Sequence, residues 1–398
     1  MKKFLAATAA IALTAGAGFA GGHSEVKIGV FLGFTGPAES LAADMAAGAE
    51  AAFAEATESG LFLGGASITS FRADGTCTDA AAATASVERL ITSDGVDGIV
   101  GGLCSGETGA GLMNVAVPNG TVMISPSATS PGLTHENNED EGLFFRVAPT
   151  DARQGVVMTQ ILQENGVDSV AVTYTNNDYG KGLADSFESA FTEAGGTVTI
   201  NIPHEDGKAD YSAEVANLAS AGGDRLVVVG YLDQGGPAII EAALDTGAFD
   251  EFHLPDAMIG DSIEARLGDR INGATGQVPG SPNSELMIPI GEARGYNATG
   301  PFAPEAYDAA ALMILAMQAA GSKDPAEYKD HVFDVANAPG EEILPGEIAK
   351  ALQILADGGE VNYSGGTAVE LVGPGDAAGS YRQFEVRDGK FETVQFRN

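Results

Sequence analysis

Short apolar runs alternate with longer segments of helical spacing along the first part of the chain. The longer segments, at 39–57 and 79–93, are rich in alanine or carry apolar residues at helical intervals. The apolar runs that predict strands lie at 26–32, 66–71, 96–100 and 121–124. Brief turns join these units. A strand–helix alternation of this kind predicts a parallel sheet with helices on both faces.

The same alternation starts again at residue 144, so the chain contains two successive α/β blocks. Strands are predicted at 144–147, 169–174, 197–202 and 225–229, and helices at 151–165, 179–194, 211–221 and 236–246. Residues 272–301 are rich in Gly, Pro and Asn and only weakly periodic, whereas 306–320 predict a strongly apolar helix. Alternation over 381–398, around Asp388-Gly389, predicts a β-hairpin.

The charge of the chain is strongly one-sided. Its 55 acidic and 20 basic residues give a formal net charge of −35. Because such a field repels phosphate, the composition argues against nucleic acid as a partner and against a basic membrane-surface protein. Hydrophobic residues make up 44% of the chain and charged residues 19%, a composition that buries a core rather than staying disordered. The length of 398 residues predicts about two domains.

Residues 1–20 have the layout of a secretory signal peptide. Lys2 and Lys3 precede an apolar run at 4–13, and small residues follow up to Ala20, after which we expect cleavage. The alternative is a buried first helix. No cysteine lies near the cleavage point, which argues against a lipid anchor. We therefore expect a soluble, periplasmic protein.

The two cysteines, Cys77 and Cys104, predict one disulfide, because the count is even in a chain with an export signal. A loop of this length would gain about 3–4 kcal/mol in the chain-entropy model. A metal or redox pair is the alternative, but CxxC spacing is absent and two thiols alone make a poor zinc site.

Motifs for catalysis are missing from the sequence. It contains no HExxH, GxSxG or P-loop pattern, and no GxGxxG after the first strand. The acidic run at 135–141 predicts a solvated loop, with a calcium site as the alternative, and the triplet at 204–206 is a weaker candidate for metal ligation. We expect no enzyme activity, no cofactor and no metal.

Loops at the predicted strand ends favour a binding cleft instead. In the first block, 101–109 and 125–130 carry small residues and hydroxyls after adjacent strands. The second block offers 176–180, 230–233 and 259–262, with two tyrosines and acidic groups. Ligands of open α/β sheets bind at the carboxyl ends of strands. Hydroxyls on one side and aromatic and acidic groups on the other suit a zwitterion, with its ammonium near Asp261.

Four stretches of the chain together resemble the periplasmic leucine/isoleucine/valine-binding protein family, the type I substrate-binding proteins of ABC importers. They are KIGV at 27–30 with TGP at 35–37, LCS at 103–105, MISPSAT at 123–129 and DYGKGL at 178–183. The resemblance covers residues 25–398 and implies two Rossmann-like lobes joined by three hinge crossovers. Lobe 1 would comprise 25–147 and 279–382, and lobe 2 would comprise 148–278 and 383–398.

The resemblance also implies a set of ligand contacts and a partner. The hydroxyls that bind the ligand carboxylate in this family correspond to Ser105 and Thr129. On lobe 2, the family's two tyrosines correspond to Tyr179 and Tyr231, and its ammonium-binding acid corresponds to Asp261. The complete set comprises Ser105, Ser127 and Ala128 (main chain), Thr129, Tyr179, Tyr231 and Asp261, with a Cys77–Cys104 disulfide. The chain is then expected to be a monomer that captures an amino acid, branched-chain or similar, and delivers it to an ABC permease in the inner membrane.

Three alternatives to amino-acid capture stay open at the level of sequence. Asp261 stands where family members that bind leucine carry Glu, so the same fold could bind an amide, urea or an aromatic acid. A periplasmic ligand sensor is a second alternative. A hydrolase is a third, although it would need a base beside Ser105.

Overall fold

The computed structural model describes residues 25–397. The predicted signal peptide at 1–20 lies outside these residues. Within 25–397, no helix combines the length and the apolar character needed to cross a bilayer.

Strands and α-helices alternate along the described chain. The strands are β1 (Glu25–Leu32), β2 (Ser67–Asp74), β3 (Gly98–Gly101), β4 (Met123–Ser125), β5 (Phe144–Arg146), β6 (Ser169–Thr175), β7 (Thr197–His204), β8 (Arg225–Val229), β9 (Phe252–Leu254), β10 (Thr275–Pro279), β11 (Glu341–Ile343), β12 (Val361–Tyr363), β13 (Leu371–Val372), β14 (Asp376–Ala377), β15 (Tyr381–Arg387) and β16 (Lys390–Arg397). The α-helices are α1 (Glu39–Ser59), α2 (Ala80–Arg89), α3 (Ser105–Gly111), α4 (Asp151–Glu164), α5 (Asp178–Glu193), α6 (Ser212–Ala221), α7 (Gly235–Thr246), α8 (Asp261–Leu267), α9 (Ile288–Arg294), α10 (Ala303–Ala320), α11 (Pro325–Tyr328), α12 (Val332–Ala336) and α13 (Ile348–Ala356).

Lobe 1 is built on a five-stranded parallel sheet with the order β2-β1-β3-β4-β5. Helix α10 is mostly apolar and is buried on all sides from Ala303 to Met317, including the acids Glu305 and Asp308, as expected for a central helix. It packs closely on α1, where a Cβ on Gly48 would lie 2.6 Å from the carbonyl oxygen of Ala303. The absence of a side chain at Gly48 therefore allows the two helices to meet backbone to backbone.

Lobe 2 is built on a seven-stranded sheet with the order β16-β15-β10-β9-β8-β6-β7. Strands β6 to β10 run parallel, and β15 pairs antiparallel with both β10 and β16. The hairpin predicted around Asp388-Gly389 is confirmed, because both residues have positive φ and join β15 to β16. The type I two-lobe fold class is also confirmed.

The chain passes between the lobes near residues 147, 278 and 382. The first passage follows β5, and the other two are neighbours in space, since Val278 pairs with Arg382 across β10 and β15. Strand β15 begins at Tyr381 and so includes two residues that the sequence boundary assigned to lobe 1. That these passages act as hinges stays a prediction.

Candidate ligand-binding site

The carboxyl ends of strands from both sheets meet in a cleft between the lobes. On the lobe 1 side, Ser105 follows β3 and Thr129 follows β4. On the lobe 2 side, Tyr179 follows β6, Tyr231 follows β8 and Asp256 follows β9. All five residues are buried. The rule that ligands of open α/β sheets bind at strand ends therefore applies to both halves of the cleft.

The lobe 1 loop after β4 is held by its own hydrogen bonds. The Ser125 hydroxyl donates to the Gly102 carbonyl at 2.8 Å and accepts from the amides of Ser127 at 3.3 Å and Ala128 at 2.9 Å. The Ser127 hydroxyl donates to the carbonyl of Leu103 at 2.9 Å. The amides of the two predicted main-chain contacts, Ser127 and Ala128, are thus engaged within the loop and fix its shape.

Two hydroxyls of lobe 1 retain hydrogen-bonding capacity. The Ser105 oxygen accepts from the Ser130 amide at 3.1 Å, which leaves its proton to be donated elsewhere. The Thr129 hydroxyl is fully buried and, among the described residues, has no partner in hydrogen-bond geometry, although it lies near enough to the Asp151 carboxylate to oppose the rise in the pKa of that acid. A buried polar group without a partner is costly, so both hydroxyls are suited to a polar ligand.

The predicted disulfide between Cys77 and Cys104 is confirmed, with a Cα–Cα distance of 5.2 Å. It fixes the residue that precedes Ser105. Glu107 lies beside the bond, and its carboxylate accepts from the amides of Cys77 at 2.8 Å, Leu103 at 2.8 Å and Cys104 at 3.1 Å. Burial raises the pKa of Glu107 to about 7, against the opposing effect of these amides.

On the lobe 2 side, two tyrosines and an acid form one buried cluster. The rings of Tyr179 and Tyr231 stack with centroids 5.3 Å apart. The Tyr179 hydroxyl donates to Asp256 Oδ1 at 2.7 Å, and the Tyr231 hydroxyl accepts from the Asn177 amide at 3.4 Å. Burial raises the pKa of Asp256, while the bond from Tyr179 opposes the rise.

A second buried acid, Asp151, lies at the boundary between the lobes. Its amide donates to the Thr129 carbonyl at 2.9 Å, while both of its carboxylate oxygens lack a partner among the described residues. Burial, followed by the charge of Asp256, raises the pKa of Asp151 well above its ordinary value. Gln154 opposes the pKa rise of Asp256, yet its amide atoms also lie outside hydrogen-bond geometry. The cleft thus combines acids and unpaired polar groups.

The structure does not bring Asp261 into this cluster. Asp261 is exposed at the start of α8, where its charge acts on Lys390. The acid that contacts Tyr179 is Asp256, which lies two residues beyond the end of β9. The sequence rule for strand ends would have found Asp256, but β9 is only three residues long and was not recognised as a strand.

The lobes are hydrogen-bonded to each other across the mouth of the cleft. The Asp233 amide donates to the Pro37 carbonyl at 3.1 Å, and the Asp233 carboxylate accepts from the Ser40 amide at 2.9 Å. Asp233 lies two residues beyond Tyr231, so one lobe 2 loop carries both a cleft residue and this interlobe contact. These two bonds join the lobes in the conformation described.

Metal and catalytic alternatives find little support among residues 25–397. The one grouping of three potential metal ligands is Cys77, Cys104 and Glu107, but its sulfurs are joined and its carboxylate accepts backbone amides. No histidine within the described chain hydrogen-bonds Ser105, whose oxygen instead accepts from Ser130.

Comparisons with known proteins agree with this geometry. The family model for periplasmic binding proteins matches residues 25–334. Leu/Ile/Val-binding protein homolog 1 from Brucella abortus is 30% identical over 89% of this chain and 97% of its own length. A leucine-binding protein from Thermotoga maritima has a TM-score of 0.76 and 22% identity, with 94% of this chain and 99% of that chain covered.

A solute-binding protein of an ABC transporter from R. palustris, solved in complex with benzoate, shares the fold. Its TM-score is 0.73 at 19% identity, over 94% of this chain and 96% of that chain. Proteins of this fold therefore bind different classes of ligand, and at such identity the likeness concerns the fold alone. From the family model and the Brucella relative, the chain belongs to the periplasmic binding protein family, as a solute-binding protein of the leucine/isoleucine/valine-binding type.

Proposed function

We propose that this protein captures an L-amino acid with an aliphatic side chain, of the branched-chain class, and delivers it to an ABC permease. The observation that carries the proposal is the buried Tyr179–Asp256 pair on lobe 2, opposite the available hydroxyls of Ser105 and Thr129 on lobe 1. An amino acid offers one cation and one anion, and this cleft offers a group for each.

Asp256 would receive the ammonium group. It is fully buried, and its Oδ1 accepts two hydrogen bonds, from the Tyr179 hydroxyl at 2.7 Å and the Ala257 amide at 2.9 Å, which leaves Oδ2 for a cation. A buried carboxylate has lost its stabilisation by water, so a nearby positive charge lowers its free energy more than it would at the surface. Binding of an ammonium group would therefore stabilise the ionised form of Asp256. The exposed Asp261 would not experience this gain, and the ammonium role thus moves from Asp261 to Asp256.

Ser105 and Thr129 would donate to the ligand carboxylate. Hydrogen bonds to a charged group contribute about 1.5–3 kcal/mol each, so two hydroxyls supply enough energy to select for a carboxylate. Tyr179 and Tyr231 would cover the ligand when the lobes close. The interlobe bonds of Asp233 would then hold the closed form that a permease recognises.

An aromatic acid is the second candidate, because a protein of the same fold holds benzoate. The charges of the cleft argue against it. Burial raises the pKa of both Asp151 and Asp256, and a ligand with a carboxylate but no ammonium would place a negative charge beside whichever of these acids is ionised, without a cation to offset it. A zwitterion brings its own cation and avoids this repulsion.

A thermal-shift panel on the ligand-stripped protein tests the proposal. It would contain the twenty L-amino acids, urea, acetamide, benzoate and 4-hydroxybenzoate. A ligand at 100 times its Kd adds about 2.7 kcal/mol of stability. We expect the melting temperature to rise with Leu, Ile and Val. A rise confined to benzoates or amides would contradict amino-acid capture while leaving the family assignment in place.

A further inference from the structure

Arg146, the last residue of β5, is a buried arginine outside the cluster of proposed ligand contacts. Its side chain has no solvent exposure. Its Nε donates to Asp376 at 2.7 Å, and its Nη2 donates to the Thr134 hydroxyl at 2.5 Å. Its Nη1 donates to two backbone carbonyls, those of Ala128 at 3.2 Å and Ser130 at 2.8 Å. Every nitrogen of the guanidinium group therefore has a partner.

The two carbonyls bound by Arg146 flank Thr129. The carbonyl of Thr129 itself accepts from the Asp151 amide at 2.9 Å, so three successive carbonyls of this loop are fixed. The hydroxyl of Thr129 is the group that remains without a partner among the described residues. The network thus holds the backbone on both sides of Thr129, one of the two lobe 1 side chains proposed to bind the ligand carboxylate.

A role limited to stability does not account for this arrangement. The charge of Arg146 is already balanced by Asp376, whose second oxygen accepts from Thr134 at 2.8 Å. Buried ion pairs are often replaceable by apolar residues without loss of stability. The planar, forked guanidinium group can hold two carbonyls and an acid at once, which a lysine cannot.

We propose that Arg146 is a positioning residue for ligand binding. By holding the carbonyls of Ala128 and Ser130, it fixes the Thr129 hydroxyl at the place where a ligand carboxylate is received. Arg146 does not itself touch the ligand. The inference rests on the proposed function in one respect, namely the assignment of the Thr129 hydroxyl to the ligand.

A double-mutant cycle tests this role. Affinity for L-isoleucine, or for benzoate if the panel selects aromatic acids, would be measured by calorimetry in the wild type, R146K, T129V and the double variant. We expect R146K to lower affinity at least tenfold in the wild-type background and no more than about twofold when Thr129 is already Val. A purely structural arginine would lower affinity by the same factor in both backgrounds.

Arg225 provides a matched control, because it is also buried and bonded to an acid and a hydroxyl, Glu251 and Thr275. It lies at the start of β8, at the opposite end of that strand from the cleft. R225K should lower the melting temperature without changing affinity. If R146K does not fold, D376N keeps the arginine but weakens its anchor, and it should show the same dependence on Thr129 with a smaller effect.

The outcomes separate this inference from the proposed function. If T129V lowers affinity and R146K is additive with it, the positioning role is overturned and the ligand assignment stands. If T129V leaves affinity unchanged, the assignment of Thr129 fails and the positioning role fails with it. Unchanged affinity in R146K overturns the positioning role alone.

Discussion

The two sides of the cleft satisfy their polar groups in different ways. On the lobe 1 side, the loop after β4 is bonded to Ser125 and Arg146, and the hydroxyls of Ser105 and Thr129 retain hydrogen-bonding capacity. On the lobe 2 side, Asp256 is buried with a tyrosine as its main partner, and Asp151 has unpaired oxygens at the boundary. Under the proposed function, lobe 1 would therefore offer hydrogen-bond donors held in place for an anion, whereas lobe 2 carries desolvated acids that a cation would stabilise.

This difference predicts that lobe 2 dominates the affinity. We expect Asp256→Asn to weaken amino-acid binding about 100-fold, because the variant keeps the shape and the bond from Tyr179 but loses the charge that faces the ammonium. Isothermal titration calorimetry with the best amino acid of the panel would measure the loss.

Asp261→Asn is the matched control for that experiment. Asp261 is exposed at the start of α8, so the substitution should leave the Kd within about twofold. A large loss at Asp261 with none at Asp256 would reverse the assignment and would favour the sequence-based prediction.

A second prediction concerns the hydrogen bond between the lobes, from the Ser40 amide to the Asp233 carboxylate. Asp233→Ala removes the acceptor of the Ser40 amide, a hydrogen bond that joins the two lobes. We expect affinity to fall about threefold to tenfold for every ligand alike, through faster dissociation, because the change affects closure rather than recognition. Stopped-flow kinetics with two ligands would measure it.

Asp245→Ala is the control, since Asp245 bonds to Arg270 within lobe 2. It should leave both rate constants unchanged. An Asp233 effect that differs strongly between ligands would mean that the residue takes part in recognition, and would contradict the closure role.

The smallest expected effect is on the pH dependence of stability. It comes from a desolvated acid in lobe 1. Glu305 on α10 is fully buried with both oxygens unpaired among the described residues, and burial raises its pKa to about 8. Between the ordinary pKa of a glutamate and about 8, the Glu305 carboxyl is therefore protonated in the folded state but ionised in the unfolded state. Stability must then fall as the pH rises towards 8, by up to about 1.4 kcal/mol per pH unit from this group.

Glu305→Gln should reduce the slope of this fall in melting temperature between pH 6.5 and 8, while Glu107, whose pKa burial raises to about 7, contributes a fall of the same sign in both proteins. The window avoids His204 and His253, whose pKa values burial lowers to about 4 and about 3, so that they act on stability below pH 6.5. Glu88→Gln, at an exposed position, should leave the slope unchanged. An unaltered slope in the Glu305 variant would show that its carboxyl is not protonated in the folded state.

The sequence predicted the architecture well because buried parallel strands appear as apolar runs between helices. It also placed Ser105 and Thr129 directly after strands that are easily recognised, where the structure has them, and their contact with a ligand stays a prediction. Asp256 was missed because β9 has only three residues. The spacing of apolar residues along the sequence indicates which positions are buried, but it does not identify the residues that each one contacts.

The network around Arg146 illustrates the limit of the sequence most clearly. Its partner Asp376 lies 230 positions away, and the interlobe bond from Ser40 to Asp233 spans 193 positions. Such pairs are brought together by the crossovers between lobes. The family resemblance suggested the crossovers, but no single sequence identifies which residues they join.

The late position of Asp376 in the chain has a consequence for the order in which the molecule folds. A nascent chain that ends before α10 contains all five strands of the lobe 1 sheet, but it lacks the helix that covers α1. Until β14 is also made, Arg146 would be a buried cation without its acid. The segment around Thr129 therefore reaches its final form only after almost the entire chain has been synthesised, and early collapse into a binding-competent lobe is disfavoured.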